Sequence, residues 1–285
     1  MKASFWGASK GAGDISVAGS EGSGLTKPKT RRLSPRRVYV ALREMVRHYA
    51  VFLRGRHPRH VRFRIASIYL RGEGLEIGAL HAPLHLPPGA HVRYVDHMTT
   101  DELKRAYPEM AERRLVPVSI VDDGERLVSI PDKTADFVIA NHLIEHAQDP
   151  IETLKNWLRV VKPGGVVFMA VPNQAHTFDR TRPTTALQHL ILDHEQGPHV
   201  SRMAHYEEWV RHIEKVAPDR IAAVALQSMQ DSRSIHFHVW DELAFLDLLS
   251  YCYRHLDLPF RLAHFSLNEY EFVIVLIKTD HQACC

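Results

Sequence analysis

The chain has 285 residues, enough to bury a sizeable core, with the apolar and charged fractions of an ordinary soluble protein and a formal charge of +3. No stretch approaches the roughly 18–20 apolar residues of a membrane span, and the Gly/Ser-rich start lacks the apolar core of a secretory leader. Three cysteines, Cys252, Cys284 and Cys285, exclude a disulfide framework and point to a reducing, cytoplasmic setting.

Residues 1–34 contain little that could form a core and read as a disordered basic tail. Residues 35–70 read as a basic helical region, because Val38, Leu42, Met45, Val46, Tyr49 and Leu53 recur at helical spacing. Between Lys27 and Arg64 there are thirteen Lys/Arg against one acid, Glu44. Such a block suits an anionic membrane surface, nucleic acid or an acidic glycan; a solvated helix face explains it equally well. The principal domain is expected over 71–285.

Strands are predicted at Leu75–Ile77 and Val92–Val95, a helix at Thr100–Tyr107 capped by Thr100 or Asp101, and strands at Val116–Val121 and Phe137–Ala140. A helix over Pro150–Val161 follows, then a turn at Lys162-Pro-Gly-Gly165 and a strand at Val166–Val171. Alternation of this kind implies a parallel sheet with helices on both faces. The pattern breaks after Pro172 into a polar, histidine-rich, loop-rich insertion, 173–235. It resumes with a helix at Asp241–His255 and strands at Phe260–Phe265 and Glu271–Ile277. The link between these strands is too short for a parallel crossover, so they should form an antiparallel hairpin.

In such sheets ligands sit beyond the carboxyl ends of the strands, where strand order reverses. Gly78 falls just after the first strand. Asp96, eighteen residues later, closes the second, where a carboxylate can hold a ribose. Asp122-Asp-Gly124 follows the third strand, where a carboxylate could reach an adenine. A nucleoside-bearing cofactor is the first hypothesis. Leu80 stands where a second glycine would be, which argues against a dinucleotide. Pro83, Pro87 and Pro88 make a long helix after the first strand improbable.

From Gly74 to Asn173 the sequence resembles the class I S-adenosylmethionine-dependent methyltransferases, particularly the type 11 group. Glu76-Ile-Gly78, Asp96, Asp123-Gly124, Ile130–Phe137 and Leu158–Gly165 match that family's motifs in order. The resemblance implies a Rossmann-like, doubly wound, seven-stranded, mostly parallel sheet with a C-terminal antiparallel hairpin and a lid inserted after strand five. It also implies S-adenosylmethionine as cofactor. Glu76, Gly78 and the adjoining Ala79 would line its methionine part, Asp96 with His97 its ribose, Asp123 and Gly124 its adenine, and Asn141 the junction with the acceptor. Leu80 departs from the family's G-x-G-x-G, so the cofactor's tail should be contacted differently from the usual pattern.

For the chemistry, His142, Glu145 and His146 would share one helical face. This H-x-x-E-H resembles the E-x-x-E-H metal site of quinone-biosynthesis O-methyltransferases, although a divalent metal is not expected here. A hydroxyl acceptor usually needs a base near neutrality, and His142 and His146 are the candidates. In the insertion, Asp179, Arg180 and Arg182 suit a polar or anionic acceptor, with Asp179 positioning the nucleophile. His189 and Asp193 stand at i and i+4, followed by Glu195 and His205. His236 and His238 alternate with apolar residues, so both could point to one side of an extended segment.

The expected function is O-methylation of a small-molecule or glycan hydroxyl. One rival is a nucleic-acid methyltransferase using the basic block; against it, Asn141-His-Leu-Ile stands where exocyclic-amine enzymes carry N/D-P-P-Y/F. The other is a non-catalytic binding module that keeps the fold for assembly with a partner. The sequence leaves the oligomeric state open.

Overall fold

The computed structural model describes residues 57–110 and 112–280. The tail over 1–34, the helix expected at Val38–Leu53 and most of the basic block lie outside the described residues. The first described element is helix α1, Pro58–Tyr69, with Pro58 in the first turn and the His57 side chain accepting from Arg59 N. The sheet strands are β1 Gly72–Ile77, β2 Ala90–Asp96, β3 Ile120–Val121, β4 Ala135–Asn141, β5 Val161–Pro172, β6 Phe260–Asn268 and β7 Glu271–Lys278. Their order is β3-β2-β1-β4-β5-β7-β6. β1 to β5 pair in parallel, and β7 runs antiparallel to both β5 and β6. The doubly wound sheet and the C-terminal hairpin are as expected.

Strands buried on both faces should carry continuous apolar runs, and Phe137–Ala140, Val166–Val171 and Phe272–Leu276 are such runs. Val138, Ala140, Val167, Met169, Ile274 and Leu276 pack on one face. The alternate residues Phe137, Ile139, Phe168, Ala170, Val273 and Val275 pack on the other. The first face is covered by helix α3, Pro150–Val160, through Ile151, Leu154, Trp157 and Leu158. Asp149 caps that helix by accepting from Glu152 N at 2.9 Å. The second face is covered by α1, through Ile65 and Ala66, and by Leu84.

Several boundaries differ from expectation. Helix α2 is Thr100–Ala106, and its cap is Thr99 rather than Thr100 or Asp101, because Thr99 forms a reciprocal capping box with Glu102. Strand three was expected from Val116 but pairs only over Ile120–Val121. Val116 N goes instead to Leu80 O, and Val118 N to the Thr100 hydroxyl. Lys162–Gly165 lie within β5 rather than before it, as an irregularity between the Ala135–Val161 and Phe137–Val166 pairs. A Cβ on Gly165 would stand 2.7 Å from Lys162 O and 2.9 Å from Asp136 O, and backbone carbonyls cannot swing away. Gly165→Ala is therefore expected to cost on the order of 1–3 kcal/mol, read as a lower urea midpoint. An unchanged midpoint would show that this corner relaxes freely.

The insertion is helical rather than loop-rich. It contains α4 Leu187–Gln196, α5 Arg202–Trp209 and α6 Ile221–Gln230. Tyr206, Trp209, Val210, Ile221, Ala225, Ile235 and Phe237 give it an apolar cluster of its own. Polar composition concealed this because the clustered apolar residues are spread from Tyr206 to Phe237 among polar ones. Helix α7, Glu242–Arg254, then returns the chain to the sheet.

Candidate active site

Gly78, Asp96 and Asn141 close the carboxyl ends of β1, β2 and β4. Here strand order reverses, since β1 lies between β2 and β4. Gly78 has φ +62° and donates its N–H to Val95 O at 2.9 Å. A Cβ there would meet only Leu143 Cδ1, at 3.5 Å. The backbone conformation, not crowding, thus calls for glycine, and space beside it is left for a ligand. Beyond Gly78 the chain makes turns and extended backbone rather than a helix up to Gly89, as the prolines predict. Buried Glu76 braces this loop by accepting from Leu84 N at 2.8 Å. Ala79 is also buried.

Asp96 is buried, and its Oδ1 accepts from His97 N at 2.9 Å and faces His97 Nδ1 at 2.8 Å. That hydrogen bond raises the His97 pKa above its usual value despite partial burial. Asp123 is exposed and accepts from Glu125 N at 2.9 Å, while Asp122 is bound by Ser129 N and Oγ. Gly124 packs rather than opens: a Cβ would stand 2.6 Å from Ile77 Cγ2, and its carbonyl accepts the Trp157 indole N–H at 2.8 Å. Sequence reasoning missed Glu125, two residues beyond Asp123. Burial, then the charge of Asp123, push its carboxyl up to about 7.

The shared helical face expected for His142, Glu145 and His146 does not form. His142 takes φ +52°, and only Ile144–His146 make a single 3-10 turn. His142 points toward β7: its Nε2 lies 2.7 Å from Glu271 Oε2 and 2.9 Å from Arg62 Nη2. Its Nδ1 is 3.6 Å from Glu145 Oε1. Glu271 also binds Arg62 Nε at 2.7 Å, receives a second Arg62 contact through Nη2, and accepts from Asn268 Nδ2 at 2.6 Å. Burial opposes ionisation of Glu271, yet Arg62 and His142 overcome it and hold the carboxyl down at about 2. Arg62 and Glu271 are 209 positions apart, and no local pattern announces such a pair.

His146 faces the insertion instead. Its Nδ1 lies 2.8 Å from Ile235 O, and its ring meets His236 edge-on at 4.7 Å. Burial, then the neighbouring His236, lower its pKa to about 4. Glu145, His146 and His236 bring ligating atoms within 4.8 Å of one another, and His142 is not in that group. Asp179 is buried, with Oδ2 2.7 Å from His236 Nδ1 and Oδ1 2.9 Å from Arg182 Nη1. Arg182 reaches Glu208 as well, at 2.7 Å. These residues tie the insertion together, and the Asp179 and His236 side chains are each enclosed.

A cleft of about 450 Å³ opens beside the Gly78 loop. Arg59, Arg62, Arg113, His81, His85 and His142 line it together with Tyr270, and among the described residues no acid does. Of these, sequence reasoning singled out only His142.

A parallel sheet with one reversed strand, a glycine bend after β1 and an acid closing β2 define a class I S-adenosylmethionine-dependent methyltransferase. The family model described as "Methyltransferase domain" matches residues 66–249, and the chain belongs to that family. No curated protein matches it. Solved structures similar to the chain include a SAM-dependent methyltransferase of Thermotoga maritima, with 14% identity over 85% of this chain and 99% of that one (TM-score 0.44). Another, from Aquifex aeolicus, shows 12% identity over 87% and 100% (TM-score 0.44). A third, from Methanosarcina mazei, shows 16% over 76% and 98% (TM-score 0.42). Family membership implies S-adenosylmethionine as methyl donor. Among the described residues no helix is long and apolar enough to cross a membrane.

Proposed function

We propose that the chain methylates a hydroxyl of an anionic small molecule or glycan. The observation that carries this reading is the acid-free cleft, where three arginines and three histidines converge beside the Gly78 bend. Bound S-adenosylmethionine supplies an electrophilic methyl group on a sulfonium. In this reading the buried Asp96 carboxylate holds the ribose hydroxyls and the Gly78 backbone leaves room for the methionine arm. Arg59 and Arg113 attract the acceptor's charge, and alignment in the cleft lowers the barrier to in-line displacement.

His142 is the favoured base. It lines the cleft, and Glu271 fixes its ring through a 2.7 Å contact to Nε2, so that proton transfer would fall to Nδ1, on the side of Glu145. His146 is the weaker candidate: with a pKa near 4 it stays neutral but accepts a proton poorly at pH 7.

The test is methyl transfer to matched pairs of sugars, phosphorylated or uronic against neutral. Anionic acceptors should be methylated on oxygen. Arg59→Ser/Arg113→Ser should raise their KM at least tenfold with little change in kcat. Equal use of neutral sugars, or methylation on nitrogen, would defeat the proposal.

A further inference from the structure

Away from the cleft, four polar side chains of the insertion converge on one point. His189 and Asp193 come from successive turns of α4, His205 from α5, and His238 from the extended segment before α7. His189 Nε2 and His205 Nε2 are 3.0 Å apart. Asp193 Oδ2 lies 3.2 Å from His189 Nε2, 3.7 Å from His205 Nε2 and 3.9 Å from His238 Nε2. The Asp193 and His238 side chains are 0% exposed, His205 is 8% and His189 33%.

Hydrogen bonding accounts for this cluster only in part: His189 and His205 can share a proton between their Nε2 atoms, and His238 Nε2 lies 3.3 Å from Gln148 O. Neither Asp193 oxygen has a hydrogen bond of sound geometry among the described residues, although the side chain is closed off from water. A buried carboxylate left so is costly. Two imidazole Nε2 atoms at 3.0 Å require that one of them carry no proton, as a neutral imidazole acceptor or a metal ligand does. A cation at the centre removes the cost of the buried carboxylate, taking it together with the Nε2 lone pairs of three neutral imidazoles. Zn–N and Zn–O bonds of about 2.0–2.1 Å in a tetrahedron place donor atoms roughly 3.3 Å apart; four of the donor pairs stand at 3.0–3.9 Å, and all of the ligand atoms lie within 4.8 Å of one another.

We infer that His189, Asp193, His205 and His238 form a binding site for a divalent transition metal, zinc by donor set and geometry. The four protein ligands complete the tetrahedron, which makes the site structural rather than catalytic. The exposed edge of His189 is the way in. The metal clamps α4, α5 and the segment carrying His236 into one unit, so that the Asp179–His236–His146 contacts are held two residues from a fixed anchor. The site is separate from the His142–Glu145–His146 motif: it shares no residue with it.

The full chain, stripped with chelator, is titrated with ZnCl2 and separately with CoCl2. About one zinc per chain should survive gel filtration, and the melting temperature should rise by several degrees, as binding to the folded state alone requires. Cobalt should give the intense visible band of a tetrahedral ion. His189→Ala/Asp193→Asn should lower affinity at least 100-fold, whereas Glu145→Gln/His146→Ala should keep one zinc. No retained zinc with no rise in melting temperature, a weak octahedral cobalt spectrum, or full retention by the His189/Asp193 variant would each overturn the assignment. If that double variant does not fold, His189→Gln, changed at the partly exposed ligand, must still bind at least tenfold more weakly. The wild-type titrations decide whether a tetrahedral site exists, and the variants decide that it is this one.

Discussion

Asp96→Ala is expected to weaken S-adenosylhomocysteine binding roughly 100-fold in calorimetry, with the protein still folded. Hydrogen bonds to a charged group contribute about 1.5–3 kcal/mol each, and a ribose offers two hydroxyls to the carboxylate closing β2. Losing about 3 kcal/mol corresponds to a hundredfold in affinity. The carboxylate is buried, so water cannot substitute for it cheaply, and Oδ1 is already shared with the N–H and ring of His97. Asp96→Asn retains one acceptor oxygen and should lose only about tenfold. Binding that is indifferent to both changes would remove the ribose from this position and, with it, the assignment of the crevice.

The largest effect on stability should come from Glu271→Gln. Its carboxylate is fully buried and engages Arg62 twice, His142 and Asn268. Neutralising it leaves the buried Arg62 guanidinium without its hydrogen-bonded anion, with only the less closely coupled Glu76 carboxylate remaining, and breaking one side of such a pair costs about 3–5 kcal/mol. That is a large part of the total stability of a domain, about 5–15 kcal/mol. Urea unfolding should show a much lower midpoint. Replacing both members, as Arg62→Met/Glu271→Leu, should recover part of the loss, because the stranded charge is gone. The pH dependence follows from the direction of the shift. The Glu271 carboxyl is held at about 2 against an ordinary 4.5. Its contribution is complete above 4.5 and fades as pH falls toward 2. Wild-type stability should decline across that window, and the variant should decline less steeply. An identical acid limb in both proteins would mean that the charge is not what the network uses.

The strands were legible because apolar runs bounded by Gly, Pro and Asp leave few alternatives, and because Gly78 and Asp96 each sit one residue beyond or at a strand end. Element ends were less so. Thr99 rather than Thr100 caps α2, because the reciprocal bond with Glu102 outweighs a choice between adjacent polar residues. What periodicity could not supply was pairing at a distance. His142 was read as helical, but φ +52° turns it toward a carboxylate 129 positions away. His236 and His238 looked equivalent by alternation, yet one meets Asp179 and the other lies beside Asp193. Arg59 and Arg62 were counted only as members of a basic stretch. Nothing nearby in the sequence reveals that they line the same cleft as Tyr270.

The bond between α1 and β7 bears on how the chain can be divided. A shortened polypeptide starting at residue 71 would keep every strand and every methyltransferase motif, yet it would strip the greasy cover of Ile65 and Ala66 from one side of the sheet. It would also leave Glu271 facing His142 with no guanidinium beside it. The smallest piece worth expressing begins ahead of Pro58, since the first helix and the last strand complete each other.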